Sequence, residues 1–424
     1  MTIAATTGGQ ALNPLPANDA LPPAPAKAWA EDFAPASAAT EERSALGVLG
    51  GGQLGRMFVH AAQSAGFQVV VLEPDAASPA GAAADLHIAA AYEDAAALAQ
   101  LARRCVAVTT EFENVPAHAL RQLQTHQVRL SPPPAAVEIC QHRAREKQLF
   151  DRAGVPCAPY ALIGTVADAQ LPAHAALLPG ILKTLTMGYD GKGQRQVETP
   201  ADLLQAFAVL GAVPCVLEQR LPLQHEISVI VARGRDGDAV ALPVQQNLHR
   251  SGVLAVTQVP APDVDAGLQQ RAVHSALQLA QLMDYVGVLC VEFFVLTDGS
   301  LVANEMAPRP HNSGHYSIDA CDVSQFQLQL RCLAAQPLVP PQQHSAAVML
   351  NLLGDLWWPP GAHAAVTPDW APILALPGAH LHLYGKADAR RGRKMGHLTV
   401  TAAGADQARR VGLHAAALLG LPAF

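Results

Sequence analysis

Residues 46–57, Leu46-Gly-Val-Leu-Gly-Gly-Gly-Gln-Leu-Gly-Arg-Met57, decide the class of the N-terminal fold. An apolar tetrapeptide (46–49) reads as a buried strand, Gly50–Gly55 as a turn, and Arg56–Ala65 as a helix. Gly50, Gly52 and Gly55 fit GxGxxG between strand and helix. Phe67–Glu73 is the next strand, and Glu73 and Asp75 stand where a dinucleotide fold holds a ribose. That loop alone suggests an NAD-dependent oxidoreductase. Its physics supports less: backbone that can approach a ligand closely, and a helix N-terminus that favours an anion. A phosphate or nucleotide, NAD, or a bare strand-to-helix turn all remain open. No Gly-Lys-Ser/Thr follows, so it is not a Walker loop.

Outward from this stretch, 95–104 reads as a helix and 105–113 as a strand, a βαβ rhythm that predicts a parallel sheet. SPPP at 131–134 marks a boundary, and 135–153 reads as one helix. From 155 to 335 short strands alternate with turns, then a helix (266–283) precedes two strands, 286–296 and 301–308. That texture predicts an α+β unit with antiparallel strands. PLVPPQQ (337–343) reads as a linker, followed by a smaller β-rich piece ending in a helix. Residues 1–43 are Ala/Pro-rich without apolar period and read as a disordered leader.

Composition narrows the classes. At 424 residues and roughly one domain per 150, two or three domains are expected. A net charge of −7 argues against bulk nucleic-acid binding. No apolar run reaches the roughly 18 residues of a membrane span, and the start lacks signal-peptide features. Seven scattered Cys without a CxxC pair read as reduced core thiols, hence a cytoplasmic protein. Only six of 28 basic residues are Lys: 27, 147, 183, 192, 386 and 394. A Lys in the folded part therefore marks a position where a compact point charge is needed, unless mutational bias alone explains the ratio.

The most informative local motif is Lys183-Thr-Leu-Thr-Met-Gly188-Tyr189-Asp190-Gly191-Lys192-Gly193-Gln194. A strand delivers Lys183, and a glycine-rich loop follows that can fold over phosphates. The alternative is a flexible turn with two solvated lysines, but a charge inside an apolar strand needs a partner. Glu218 and Glu226 flank a short hinge and suit a ribose and an amino group, or are plain edge-strand acids. Glu292 and Glu305, with Asn304, lie on apolar strands and suit Mg²⁺; the alternative is a structural pair with Arg309. Arg309, His311 and Asn312 then supply an anion holder, a proton carrier and a hydrogen-bonding amide, or form a polar capping loop. Five cations among Lys386, Arg390, Arg391, Arg393 and Lys394 suit a phosphate monoester, or a solvated face.

In this order, the motifs resemble the ATP-grasp superfamily, and most closely its 5-(carboxyamino)imidazole ribonucleotide synthase (PurK-type) family. Carrying the resemblance are LGVLGGGQLGRM, TTEFENV (109–115), KQLFDRAGVPCAPY (147–160), LKTLTMGYDGKGQ (182–194), LEQRL (217–221) and HEISVIVAR (225–233). It continues through QQNLHRSG (245–252), GVLCVEFF (287–294), NEMAPRPHNSGH (304–315) and YGKADARRGRKMGH (384–397). It spans about 45–424, and implies a Rossmann-like pre-ATP-grasp domain (44–134), an ATP-grasp core (135–336, mobile lid about 155–220) and a small C-terminal domain (344–424). The implied reaction carboxylates 5-aminoimidazole ribonucleotide with bicarbonate and ATP, using Mg²⁺, in a homodimer of purine biosynthesis.

By motif position, the resemblance gives ATP phosphates to Arg143, Lys147 and Lys183, with loop Gly188–Gln194 closing over them. Adenine falls to Glu218, Gln219, Arg220 and Leu221, and ribose to Glu226 with His249 nearby. Asn304 and Glu305 complete the nucleotide site, and Glu292 and Glu305 hold the metal. Arg309, His311 and Asn312 face bicarbonate or carboxyphosphate; His311 and Asp190 are both candidates for the amine proton. The ribonucleotide falls to Gln53, Leu54, Glu111, Tyr189, Asp190, Lys192, Lys386 and Arg393. Two features depart from the pattern: Lys192, where an Arg would give a bidentate contact, and the leader. A rival within the superfamily is a formate-dependent glycinamide ribonucleotide transformylase. A catalytically silent nucleotide-binding module is disfavoured by the intact Glu292, Glu305, Arg309 and His311.

Overall fold

The computed structural model describes residues 44–186, 188 and 193–424. The leader 1–43 and Tyr189, Asp190, Gly191 and Lys192 lie outside the described residues, so expectations placed on them are not addressed below.

The opening apolar stretches form a parallel sheet of β1 (Ala45–Leu49), β2 (Val69–Leu72), β3 (Leu86–Ile88), β4 (Cys105–Thr110) and β5 (Arg129–Ser131). The order is β3-β2-β1-β4-β5. Every residue of β1 and β2 is buried, the pattern of strands covered on both faces. Helix Gln53–Ser64 turns Leu54, Phe58, Val59 and Ala62 inward. Helix Ala95–Arg104 starts on Asp94, whose carboxylate accepts from the N–H groups of Ala96 and Ala97.

The expected strand 105–113 ends at Thr110. The reason is Glu111, whose carboxylate accepts the Gly52 N–H (2.9 Å) and the Gly55 N–H (3.2 Å) across the glycine loop. The chain therefore leaves the sheet there. The expected single helix 135–153 is two helices, Pro134–Cys140 and Arg143–Ala153. At the break, the Arg143 N–H donates to the Leu185 carbonyl (2.9 Å). The Gln141 amide donates to the carbonyls of Glu113 (2.6 Å) and Val115 (2.7 Å). Apolar spacing continues through the break, so periodicity cannot reveal it.

A second, antiparallel sheet contains β6 (Tyr160–Ile163), β7 (Gly180–Thr184), β8 (Gln194–Val197) and β9 (Cys215–Gln219), in the order β6-β9-β7-β8. Leu182, Cys215 and Leu217 pack against Leu203, Ala206 and Phe207 of helix Pro200–Val209.

The third sheet has nine strands. Its members are β10 (Leu223–Arg233), β11 (Ala239–Ala241), β12 (Gln245–Arg250), β13 (Val253–Val259), β14 (Gly287–Leu296), β15 (Leu301–Ala307), β16 (Ala346–Leu353), β17 (Ala379–Leu383) and β18 (Lys394–Ala402). They run β15-β14-β10-β12-β13-β16-β18-β17, with β11 on β10. Ile227, Val229, Leu289, Val291 and Phe293 face helix Ala266–Leu282, in a core with Ala272, Ala276 and Leu279. The proline-rich stretch 337–343 does not interrupt this sheet, because β16 pairs with β13.

Candidate active site

Strand register assembles the site. Glu292 on β14 is directly opposite Glu305 on β15. Ser228 on β10 is opposite Glu292, and Glu226, two residues away, is opposite Asn247 on β12. With a strand period of two, Glu226, Asn247, Glu292 and Glu305 project from one face. In the smaller sheet Ile181 is opposite Glu218, which sets Lys183 and Glu218 diagonally on one face.

These faces border a cavity of about 830 Å³. Its wall takes Gln53 and Leu54 from the start of helix Gln53–Ser64, and Glu111 from the turn after β4. The smaller sheet and its loop contribute Lys183, Gly188 and Gln194. Glu226, His249, Glu292, Asn304 and Glu305 come from the large sheet, with Arg143 opposite. Arg309, His311, Asn312, Lys386 and Arg393 complete the lining, with His311 next to Glu292. Residues separated by hundreds of positions thus meet in one space.

Six expected ligands do not line it. The Glu218 carboxylate is buried and accepts from Lys183 Nζ (2.8 Å), while Lys147 Nζ lies 3.3 Å from its other oxygen, outside hydrogen-bond geometry. Lys147, itself buried, also donates to the Asn304 carbonyl (3.3 Å). The N–H groups of Gln219 and Arg220 are taken by the carbonyls of Pro159 and Pro179 (2.9 Å each). The Arg220 side chain pairs with Glu198 (2.7 Å). Leu221 accepts from the Leu223 N–H. Gly193 is likewise behind the wall, at a φ of +69°, where a Cβ would come within 2.8 Å of Thr184 Oγ1.

The glycine loop also departs from expectation. Its N–H groups are occupied by Glu111, the anion within the chain itself. A Cβ at Gly50 would fall 2.3 Å from Glu111 Cγ, and one at Gly52 2.5 Å from Glu111 Oε1. The glycines admit the 111–115 turn rather than a pyrophosphate, which removes the physical basis of the NAD reading. Glu111 touches the cavity while serving as that helix's N-terminal anion. Gln53 and Lys386 bond each other (Nζ to Oε1, 2.7 Å), joining the two ends of the chain at the wall.

The charge states differ sharply across the site. Burial pushes Glu218 up, but Lys183 and Lys147 win and hold it near pKa 2. Burial and the facing Glu305 raise Glu292 to about 7. Burial raises Glu146 to about 8, against the pull of Lys147 and Arg143; its carboxyl also accepts the Met306 N–H (2.6 Å). His311 is kept well below its usual range by burial and Arg309, with Nε2 3.1 Å from Glu292. Burial disfavours protonated His249, but the Glu226 hydrogen bond and nearby Glu292 overcome it. Arg143 pairs with Glu305 (3.2 Å). Arg309 pairs with Glu113 (2.5 Å), which overturns the alternative of a structural pair with Glu292 or Glu305.

Several buried polar atoms at the site lack protein partners: Asn304 Oδ1 and both Oδ1 and Nδ2 of Asn312. Such groups are costly unless a ligand or water serves them. Together with two facing carboxylates, Asn304 Oδ1 makes an all-oxygen donor set that fits Mg²⁺, whose charge would relieve the Glu292–Glu305 repulsion. Glu113, Gln141, Glu146 and Asn247 also line the cavity and escaped the sequence reading. Glu113 had a signal, its place two residues after Glu111 in TTEFENV; Gln141 had none, because the helix break is invisible to periodicity.

A ribonucleotide synthetase preATP-grasp domain model matches residues 44–141, an ATP-grasp domain model 148–326, and a phosphoribosylaminoimidazole carboxylase C-terminal domain model 347–411. N5-carboxyaminoimidazole ribonucleotide synthase of Brucella melitensis is 43% identical over 360 residues, covering 84% of this chain and 96% of the relative. The chain belongs to the N5-carboxyaminoimidazole ribonucleotide synthase family. Solved members share the architecture. The Thermus thermophilus synthetase superposes with a TM-score of 0.80 at 37% identity, covering 88% of this chain and 98% of its own. The Aspergillus clavatus N5-carboxyaminoimidazole synthase, solved with ADP and 5-aminoimidazole ribonucleotide, gives 0.80 at 31%, covering 90% and 100%. As a family member the protein is an ATP-grasp ligase of purine biosynthesis. Among the described residues, no helix is long and apolar enough to cross a membrane.

Proposed function

We propose that the cavity carboxylates 5-aminoimidazole ribonucleotide, using ATP and bicarbonate, to give the carboxyamino product, ADP and phosphate. The observation that carries this reading is the pair of unpartnered asparagines. Asn304 adjoins Glu305 and Asn312 follows His311 in the same cavity lining, so both groups of candidate ligand residues include buried polar atoms that a ligand would satisfy. The Aspergillus clavatus relative, with ADP and 5-aminoimidazole ribonucleotide, supports the choice of ligands.

In this reading Arg143 and Lys183 hold the phosphates, with Lys147 supporting Lys183 from beneath through Glu218. The ribose subsite lies at Glu226 and His249, which line the cavity, while the hinge 218–221 backs the wall. Glu292, Asn304 and Glu305 would hold Mg²⁺, which when bound neutralises charge on the transferring phosphoryl group. A bicarbonate oxygen attacks the γ-phosphorus, the bond to the β–γ bridging oxygen breaks, and ADP leaves. Arg309, His311 and Asn312 hold the resulting carboxyphosphate, which must be kept from water. It breaks down to CO₂ and phosphate; the substrate amine then bonds the CO₂ carbon and loses a proton. His311, kept neutral by burial, is in the form that accepts a proton; Asp190 remains the other candidate. Gln53, Leu54, Lys386 and Arg393 grip the ribonucleotide. The same reading includes a cytoplasmic homodimer, which sedimentation equilibrium tests.

Coupled ADP release decides the substrate. Release should require both bicarbonate and 5-aminoimidazole ribonucleotide. Release with formate and glycinamide ribonucleotide instead would establish the transformylase reading.

A further inference from the structure

We infer that Glu113 is the positioning residue of Arg309, fixing the guanidinium that faces bicarbonate and carboxyphosphate. This rests on the function proposed above. Arg309 Nε donates to Glu113 Oε2 (2.5 Å), and Nη1 donates to the Pro310 carbonyl (3.1 Å). An arginine has five N–H donors in a rigid fork, so two anchored donors orient those that remain. Both side chains are largely buried, with 26% of Glu113 and 16% of Arg309 exposed, and both line the cavity. Burial would push Glu113 up, but Arg309 beside it holds the carboxyl below its ordinary value, so the pair is ionised.

The anchor is itself anchored. The Gln141 amide donates to the carbonyls of Glu113 and Val115 at the helix break, which fixes the turn carrying the carboxylate. Two residues earlier, Glu111 binds Gly52 and Gly55. One short turn therefore holds the glycine loop with one acid and the Arg309 fork with the other. Glu113 and Arg309 are 196 residues apart, in separately matched preATP-grasp and ATP-grasp regions. The carboxylate acts on bicarbonate through Arg309, so its loss should fall on the bicarbonate step.

Steady-state kinetics of Glu113→Gln, which keeps the shape and loses the charge, tests this. The KM for bicarbonate should rise about tenfold or more, as expected for losing a charge-assisted anchor, while the KM values for ATP and the ribonucleotide stay within about twofold. Glu113→Asp keeps the charge and should recover part of the loss; it supplies the same comparison if the Gln variant folds poorly. In an Arg309→Lys background, Glu113→Gln should add little, because the fork it orients is gone. An unchanged bicarbonate KM in Glu113→Gln would overturn the inference, as would an equal rise in all three KM values or penalties that multiply in the double variant. If Arg309→Lys alone leaves the bicarbonate KM unchanged, the assignment of Arg309 fails first, and the inference falls with it.

Discussion

Two charged regions of the same molecule are built in opposite ways. Lys183, Lys147 and Glu218 form a closed set, with the carboxylate ionised between two cations. Glu292 and Glu305 form an open set: like charges face each other across adjacent strands, beside amide groups without partners. The first region satisfies itself: Glu218 and Lys147 sit behind the wall and fix Lys183, which reaches it. In the second, Glu305 reaches Arg143 and Glu292 reaches His311, but the facing carboxylates and the unpartnered asparagine atoms still cost stability, which bound ligands recover. Substitutions should therefore separate the two, with loss of fold on one side and loss of chemistry on the other.

The largest effect is expected in the closed set. Glu218→Gln leaves two lysines, one of them fully buried, without their counter-charge, and should cost about 3–5 kcal/mol of unfolding free energy in urea titrations. The pH dependence has a definite sign. The folded carboxyl titrates near 2 rather than 4.5, so its contribution is complete above pH 4.5 and is lost as pH falls toward 2. That loss amounts to about 3 kcal/mol in the wild type and should be missing from the Gln variant. Equal acid limbs in both proteins would show that the pair is not closed.

Glu305→Gln probes the open set. It should lower ATP turnover by about 10²–10³-fold, the scale seen when a single electrostatic stabiliser is removed, while thermal unfolding stays near that of wild type. Wild-type turnover would remove Glu305 from the proposed metal set. Lys386→Ala is a smaller change at the cavity wall. It should raise the KM for the ribonucleotide roughly tenfold and leave that for ATP unchanged, because Lys386 donates to Gln53 Oε1 and the Lys394 carbonyl, beside the residues proposed to grip the ribonucleotide. A matched loss for both substrates would erase the division between the two subsites.

Much of this was legible in the chain. The all-apolar β1 and β2, the Lys-bearing strand β7 and the acids of β14 and β15 each carry a local signature, and their strands formed close to where composition placed them. What remained hidden depends on long-range pairing. Glu218 reads as a nucleotide ligand until the register of β7 and β9 turns it toward Lys183. The glycine loop reads as a phosphate cradle until Glu111, 59 residues from Gly52, fills it. The continuity of the large sheet depends on β13 meeting β16, across the proline-rich stretch that composition marks as a break. A side chain's type can be read from sequence, but its partner is set by register and by what the next layer brings.

The most direct test of the central claim follows an oxygen atom. Turnover with ¹⁸O-labelled bicarbonate, ATP and 5-aminoimidazole ribonucleotide should place label in the released phosphate, because a bicarbonate oxygen becomes bonded to the γ-phosphorus. Phosphate that carries label only from ¹⁸O-water would mean that water, not bicarbonate, attacks ATP in this cavity.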